Sequence, residues 1–378
     1  MVTSCSWPCW WCAPRACSRR RDEPAPQPAA RINVRSHPMT AHVVRSTRSS
    51  RVALALSLAW LVMAASLPFW GEASWMREFT EMSAYFIFAM MWNLLAGYGG
   101  MVSIGQQAFF GLGGYTMVAL ANLAGIDPFV SIALAALLAG LIAVPVSWVA
   151  FRLQGGYFAI GTWVIAEVMR LTVANIDAVG GGSGTSLTAF RGMDRTLREH
   201  TTYWVALAAV VATLAGVYLF LRSKQGLALQ AIRDSEVAAE SQGVAVQRTK
   251  LAVYVVAAFG GGLAGALYFV STLRISPDAA FGINWTAFAI FIVVVGGIGR
   301  IEGPIIGATL FWLLNKFFAD YGTWYQIGLG LLAIVVAVAF RQGLWGWLQQ
   351  RTGLTLFPTT RWLQPPAQAA SDAAPGQP

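Results

Sequence analysis

Long apolar stretches alternate with short polar breaks along most of the chain. Ten of them approach the ~20 residues that a helix needs to cross a hydrocarbon core. They run over 52–70, 82–98, 104–124, 129–151, 157–175, 202–221, 250–273, 284–299, 303–319 and 323–340. The pattern predicts an all-α integral membrane protein with about ten transmembrane or re-entrant helices. Between 98 and 114, glycines and the amides of Gln106 and Gln107 interrupt the apolar run. Irregular backbone at membrane depth survives only inside protein or along a watery cavity, so a broken or re-entrant helix is expected there. Two connections are long enough to carry function, 176–201 and 222–249.

Composition agrees with a membrane chain. Of 378 residues, 56% are hydrophobic and 11% charged, against about 25% charged in ordinary soluble chains. The net charge of +9 would suit nucleic acid if the basic residues gathered on one face. Instead they fill the first 51 residues and otherwise punctuate apolar runs, so lipid is the expected partner and nucleic acid is not. With the amino terminus placed inside, the external segments hold only Arg77, Arg191, Arg195, Arg198 and Arg274, Arg170 and Lys316 fall within spans, and the other Lys and Arg lie inside. That bias predicts both termini in the cytoplasm.

The chain divides into a basic leader over 1–50, a transmembrane domain over 51–340 with a cytoplasmic loop at 222–249, and a cytoplasmic tail over 341–378. The leader is expected to be disordered, or to precede a true start at Met39, and most of the tail is expected to be disordered. Cys5, Cys9, Cys12 and Cys17 invite a zinc reading. Trp7, Trp10, Trp11 and the run Arg19, Arg20, Arg21 give their neighbourhood no helical or strand period, and no metal is expected. His37, His42 and His200 are too few for most His-dependent chemistry.

The loop at 222–249 reads as two helices joined by a turn. Leu227, Ala228, Ala231 and Ile232 recur at helical spacing, and Asp234 or Ser235 can cap a second helix that carries Val237, Ala238 and Ala239 and stops at Gly243. Small alanines permit close approach to another surface, with Arg233, Asp234, Glu236 and Glu240 around the rim.

This loop resembles the segment by which membrane subunits of ABC importers dock on their ATPase, a Glu-Ala-Ala-x-x-x-Gly signature. Here Val237-Ala238-Ala239-Glu240-Ser241-Gln242-Gly243 has the acidic residue one place early, at Glu236. The longer string from Gly226 to Gly243 is similar to the form of that loop in branched-chain amino-acid permeases of the LivM type. So are the strings from Trp92-Asn93-Leu94-Leu95-Ala96-Gly97-Tyr98-Gly99-Gly100 on to Gln106, from Arg152-Leu153-Gln154-Gly155-Gly156-Tyr157 on to Ile160, Gly180-Gly181-Gly182-Ser183-Gly184, Arg274-Ile275-Ser276-Pro277 and Val295-Gly296-Gly297-Ile298-Gly299. The resemblance spans approximately 82–340.

The resemblance implies a multi-pass subunit of the bacterial inner membrane without catalytic chemistry of its own. Its partners would be a second, related permease subunit, two cytoplasmic ATPase subunits and a periplasmic substrate-binding protein. No G-x-x-x-x-G-K-[ST] phosphate loop occurs in the sequence, so no cofactor is expected in this chain and ATP would be used by the partners. The coupling residues would be Gly226, Ala231, Arg233, Asp234, Glu236, Ala238, Ala239, Glu240 and Gly243. On this reading Glu at position 239 or Pro at 243 leaves membrane insertion intact and abolishes transport. The solute would be a branched-chain or related amino acid, with urea or a short-chain amide as the alternative.

Other signals compete. Gly260-Gly261-Gly262-Leu263-Ala264-Gly265 fits a dinucleotide fingerprint but lies in an apolar run, where small residues serve close helix packing. Gly181-Gly182-Ser183-Gly184 with His200 would suit an intramembrane serine protease only if both stood on facing helices, and both fall on one loop. A secondary transporter would need a charged relay through several spans, and Glu167 stands almost alone. Glu167 and Arg170, one turn apart, can pair; alternatively Glu167 lines the pathway and meets a substrate amino group. Asn93, Gln106 and Gln107 are candidate pathway amides, equally able to bond freed backbone. Trp70, Trp75, Trp204 and Trp324 need no role beyond interfacial anchoring. Deleting residues 1–38 is expected to leave solute uptake nearly unchanged, as measured in membrane vesicles.

Overall fold

The computed structural model describes residues 42–43, 48–340, 342–352, 356–357 and 363–364. The cysteine cluster, Met39 and most positions after 352 lie outside the described residues. Helices dominate, as the apolar periodicity requires. They are α1 (Arg48–Trp70), α2 (Ala73–Trp92), α3 (Gln107–Asn122), α4 (Pro128–Ala150), α5 (Gly156–Ala174), α6 (Arg195–Arg222), α7 (Lys224–Asp234), α8 (Glu236–Ser241), α9 (Val246–Thr272), α10 (Pro277–Phe281), α11 (Asn284–Gly296), α12 (Glu302–Phe318), α13 (Thr323–Ala339) and α14 (Gly343–Thr352). Short strands join distant segments: β1 (His42–Val43), β2 (Thr185–Ser186), β3 (Arg274–Ile275) and β4 (Leu363–Gln364). β1 pairs antiparallel with β4, His42 opposite Gln364, in a small unit of its own. Within the helical unit, β2 pairs antiparallel with β3, Thr185 opposite Ile275.

Among the described residues six helical stretches are long and apolar enough to cross a membrane: α4, α5, α6, α9, Pro277–Gly296 and Thr323–Thr352. The other apolar runs fall on α1, α2, the 16-residue α3 and the 17-residue α12. The run at 82–98 belongs to a helix that begins about two and a half turns earlier, at Ala73. Hydropathy missed its start because Arg77, Glu78 and Glu81 occupy those turns, yet Glu78 pairs with Lys316 of α12 at 2.8 Å and Arg77 lies 3.9 Å from Glu199 of α6. The tail also begins as structure: Trp345 of α14 is buried, and the Phe357 amide donates to Glu302 at 2.8 Å.

α9 forms the axis of the bundle. In its apolar window 72% of residues are buried, against 39% in α4 and α6 and 22% in α5. Its glycines permit this. A Cβ on Gly265 would collide with the Phe110 carbonyl of α3, and one on Gly262 would meet the Ala139 side chain of α4. The run at 260–265 is therefore a packing seam. Beside it the rings of Phe110 and Trp285 stack at 4.0 Å, with Tyr268 and Tyr85 against the same indole at 4.6 and 5.2 Å.

The expected break near 98–114 takes a definite form. α2 continues as one π-helical turn, Asn93–Tyr98, and the chain then runs without helix to Gln106 before α3 starts. Side chains satisfy part of this stretch: Trp92 donates its indole N–H to the Ser103 carbonyl at 2.9 Å, and Thr162 of α5 accepts from the Ile104 amide at 3.3 Å. At the opposite end of the bundle Asn122 holds the connection between α5 and α6, accepting from the Thr188 amide and donating to the Ser186 carbonyl, each at 2.9 Å.

Candidate functional site

The elbow formed by α7 and α8 is the candidate site. Gly226 lets α7 fold back tightly after α6, since a Cβ there would strike the Leu221 backbone. Ser235 caps α8, its hydroxyl accepting from the Ala238 amide at 3.3 Å. After α8 the chain turns at Gly243, whose φ of +81° disfavours any side chain. Of the two caps allowed by the sequence, the structure uses Ser235.

The buried face of α7 differs from the expected one. Gly226, Leu229 and Ile232 point inward, whereas Leu227 is 53% exposed. Leu229 lies against Gly99, where the π-helical turn ends. Arg233 reaches further: a Cβ on Gly100 would stand 3.5 Å from its Cγ, and one on Gly299 would stand 2.9 Å from its Nη1. One side chain thus spans the glycine turn after α2 and the glycine turn between α11 and α12.

Those two turns are joined directly. Asn93 donates its Nδ2 to the Arg300 carbonyl and accepts the Gly299 amide on its Oδ1, both at 2.8 Å. This amide bonds backbone with both its donor and its acceptor. The motif strings 92–100 and 295–299 are therefore two halves of one contact beneath the elbow.

The second helix reverses the expected role of one residue. Ala239 is 1% exposed and packs inward with Ile232 and Val246, so it is part of the elbow's own core. Ala239 is therefore not on an open docking face, and a carboxylate there would be buried among apolar side chains. Val237, 80% exposed, and Ala238, Asp234 and Glu240 face outward instead. Glu236 is held by Lys250 of α9 in an ion pair at 2.5 Å. Ala231 is half-buried beside the Ile232 cluster. Val237 was legible only as one apolar position on a short helix; its outward direction follows from the cap and from Ala239 taking the inner face.

The remaining candidates do not converge. Gln107 accepts from the Thr286 hydroxyl of α11. Gln106 is buried, and among the described residues neither of its amide atoms has a hydrogen-bond partner. Glu167 receives a bidentate bond from Arg170 at 3.0 Å, and Arg170 also binds Asp278 of α10 at 2.6 Å, so this charge belongs to an ion-pair network tying α5 to α10. Ser183 donates its hydroxyl to the Gly180 carbonyl at 2.9 Å and serves its own turn. Among the described residues no group of His, Cys, Asp and Glu could hold a metal.

Comparison with known proteins gives these features a context. Residues 76–340 match the family described as branched-chain amino acid transport system, permease component. The chain is 29% identical to the high-affinity branched-chain amino acid transport system permease protein LivM of Escherichia coli K12, over 76% of this chain and 73% of that protein. It is 26% identical to a probable branched-chain amino acid transport permease protein LivM of Methanocaldococcus jannaschii, over 65% and 82%. A fructose import permease protein, FruG of Bifidobacterium longum, is 30% identical over 36% of this chain and 42% of its own length. No solved structure matches.

Ala239→Glu is expected to destabilise the elbow by about 3 kcal/mol or more, seen as loss of the monodisperse peak in detergent size-exclusion chromatography. Val237→Asp, on the open face, should elute as the unaltered protein does.

Proposed function

Since this chain belongs to the branched-chain amino acid transport permease family, we propose that it is the membrane-spanning permease subunit of an ATP-driven ABC importer that carries branched-chain or related amino acids across the bacterial inner membrane. It is a transport subunit and not an enzyme. Its permease domain covers 51–340, and the coupling loop is 222–249. A second related permease subunit, two cytoplasmic ATPase subunits and a periplasmic substrate-binding protein complete the machine. ATP is bound and hydrolysed on the ATPase subunits, and this chain needs no cofactor. Both termini and the elbow face the cytoplasm.

The observation that carries the reading is the seating of the elbow on both broken segments. An ATPase gripping Val237, Ala238, Asp234 and Glu240 moves α8, and the Ala239–Ile232 core passes that motion to α7. Arg233 and Leu229 then bear on the turns at 97–100 and 297–300, which Asn93 binds together. The two turns move as one body and tilt α2 and α12, the helices that run from them to the far side. A ligand-driven switch from 1:99 to 99:1 requires about 5.5 kcal/mol of differential affinity, so ATP must change how tightly the ATPase holds the elbow in the two states. A hydrophobic knob flanked by acidic side chains suits such an interface.

Two measurements test this. Val237→Asp should abolish ATP-driven uptake in vesicles holding the whole assembly while the subunit still inserts and folds; unaltered uptake would remove the elbow from the mechanism. Vesicles holding the unaltered assembly should accumulate labelled leucine and leave labelled urea outside. The reverse result would assign the chain to the amide branch of solutes.

A further inference from the structure

A polar cavity of about 270 Å³ lies between α2 and α12, far from the elbow. Its charged wall is Glu78, Glu81 and Lys316, and Tyr85, Trp312 and Asn315 complete it. None of Asn93, Gln106, Gln107 or Glu167 lines it. At 1.5 Å per residue Glu81 stands roughly 12 Å inside α2 from its first residue. The Lys316 and Glu78 side chains are 41% and 37% exposed, so the cavity opens at the surface of the chain.

The charges do not cancel. Lys316 pairs with Glu78 at 2.8 Å and rests 5.0 Å from the centre of the Trp312 ring. Glu81 has no hydrogen bond or ion pair among the described residues, and Arg77, one turn earlier, reaches toward Glu199. The wall therefore carries one carboxylate that has no hydrogen-bonding partner among the described residues, with Arg77 acting on it only across space, beside an ammonium with two donors still free. Its rings are fixed: Tyr85 stands between Trp285 at 5.2 Å and Phe311 at 5.0 Å.

Resting on the reading of this chain as a permease, we propose that this cavity is a solute subsite selective for a zwitterion, a free α-amino acid. The ammonium group of the solute meets Glu81, and its carboxylate meets the free donors of Lys316 and the Asn315 amide. The side chain of the solute lies against Tyr85 and Trp312. The volume is close to the lower end of small-molecule sites, about 300–1,000 Å³, and fits a single small solute. A neutral amide such as urea brings Glu81 no cationic hydrogen-bond donor and binds more weakly. The site lies on the two helices that the Asn93 clamp joins at the other end, so tilting them alters the cavity.

The test uses the whole assembly in vesicles, with its binding protein and ATP. Glu81→Gln should raise the KM for leucine at least tenfold, the loss expected when a charge-assisted hydrogen bond is removed, and Glu81→Asp should recover part of it. In a separate variant, Asn315→Cys, a small methanethiosulfonate reagent should label the cysteine, and saturating leucine should slow labelling. A leucine KM within twofold of the unaltered assembly for Glu81→Gln, or labelling of Asn315→Cys that leucine does not slow, overturns the subsite. If the assembly with this chain unaltered takes up no amino acid, the permease's solute class is wrong, and that failure is distinct because it precedes any substitution.

Discussion

A turn packed between helices leaves backbone N–H and C=O groups that the protein itself must satisfy, and the architecture of this protein turns on how one such turn, between α11 and α12, is closed. Asn93 supplies a donor and an acceptor from a single side chain, to the Arg300 carbonyl and the Gly299 amide. A residue able to offer only one of these would leave a buried backbone group unpaired, at a cost of about 1–3 kcal/mol. Because the two bonded groups lie some two hundred residues from Asn93 in sequence, the same clamp that solves a local solvation problem also ties the first broken segment to the last.

On the proposed coupling role, that tie gives the elbow something to push. A loop packed only on its own helix ends would move alone, whereas α7 places Leu229 on one glycine turn and Arg233 across both. Positive φ at Gly100 and Gly299 makes the turns, and their lack of side chains makes room for the arginine. Further up, the glycines of α9 bring α3 and α4 close to the axis, and rings from α2, α3, α9 and α11 interlock around Trp285. Close-packed cores of this kind shift as units, which suits a subunit that must transmit displacement over the thickness of a membrane.

The charges separate by purpose. Glu167, Arg170 and Asp278 neutralise one another and fasten α10 to α5, and Arg195 and Arg77 flank Glu199. Glu236 and Lys250 brace the foot of α8 against α9. Glu81, in the wall between α2 and α12, has no such partner among the described residues.

The sequence by itself determined the membrane character, the positions of most helices, the break after Tyr98, the two-helix elbow with its glycine stop, and the family resemblance, because each is written in local periodicity, capping chemistry or contiguous motifs. It did not reveal that α2 begins at Ala73, since paired charges look like loop until Lys316 and Glu199 are seen across from them. It assigned Ala239 to the outside and passed over Val237, because a six-residue helix shows its composition but not its rotation, and rotation is set by Ile232 and Val246. Asn93 was legible as a buried amide with two possible duties. Which duty it performs was decided by tertiary structure alone, for only folding brings Gly299 and Arg300 within hydrogen-bond distance, and a side chain's partners across two hundred residues leave no trace in its neighbours.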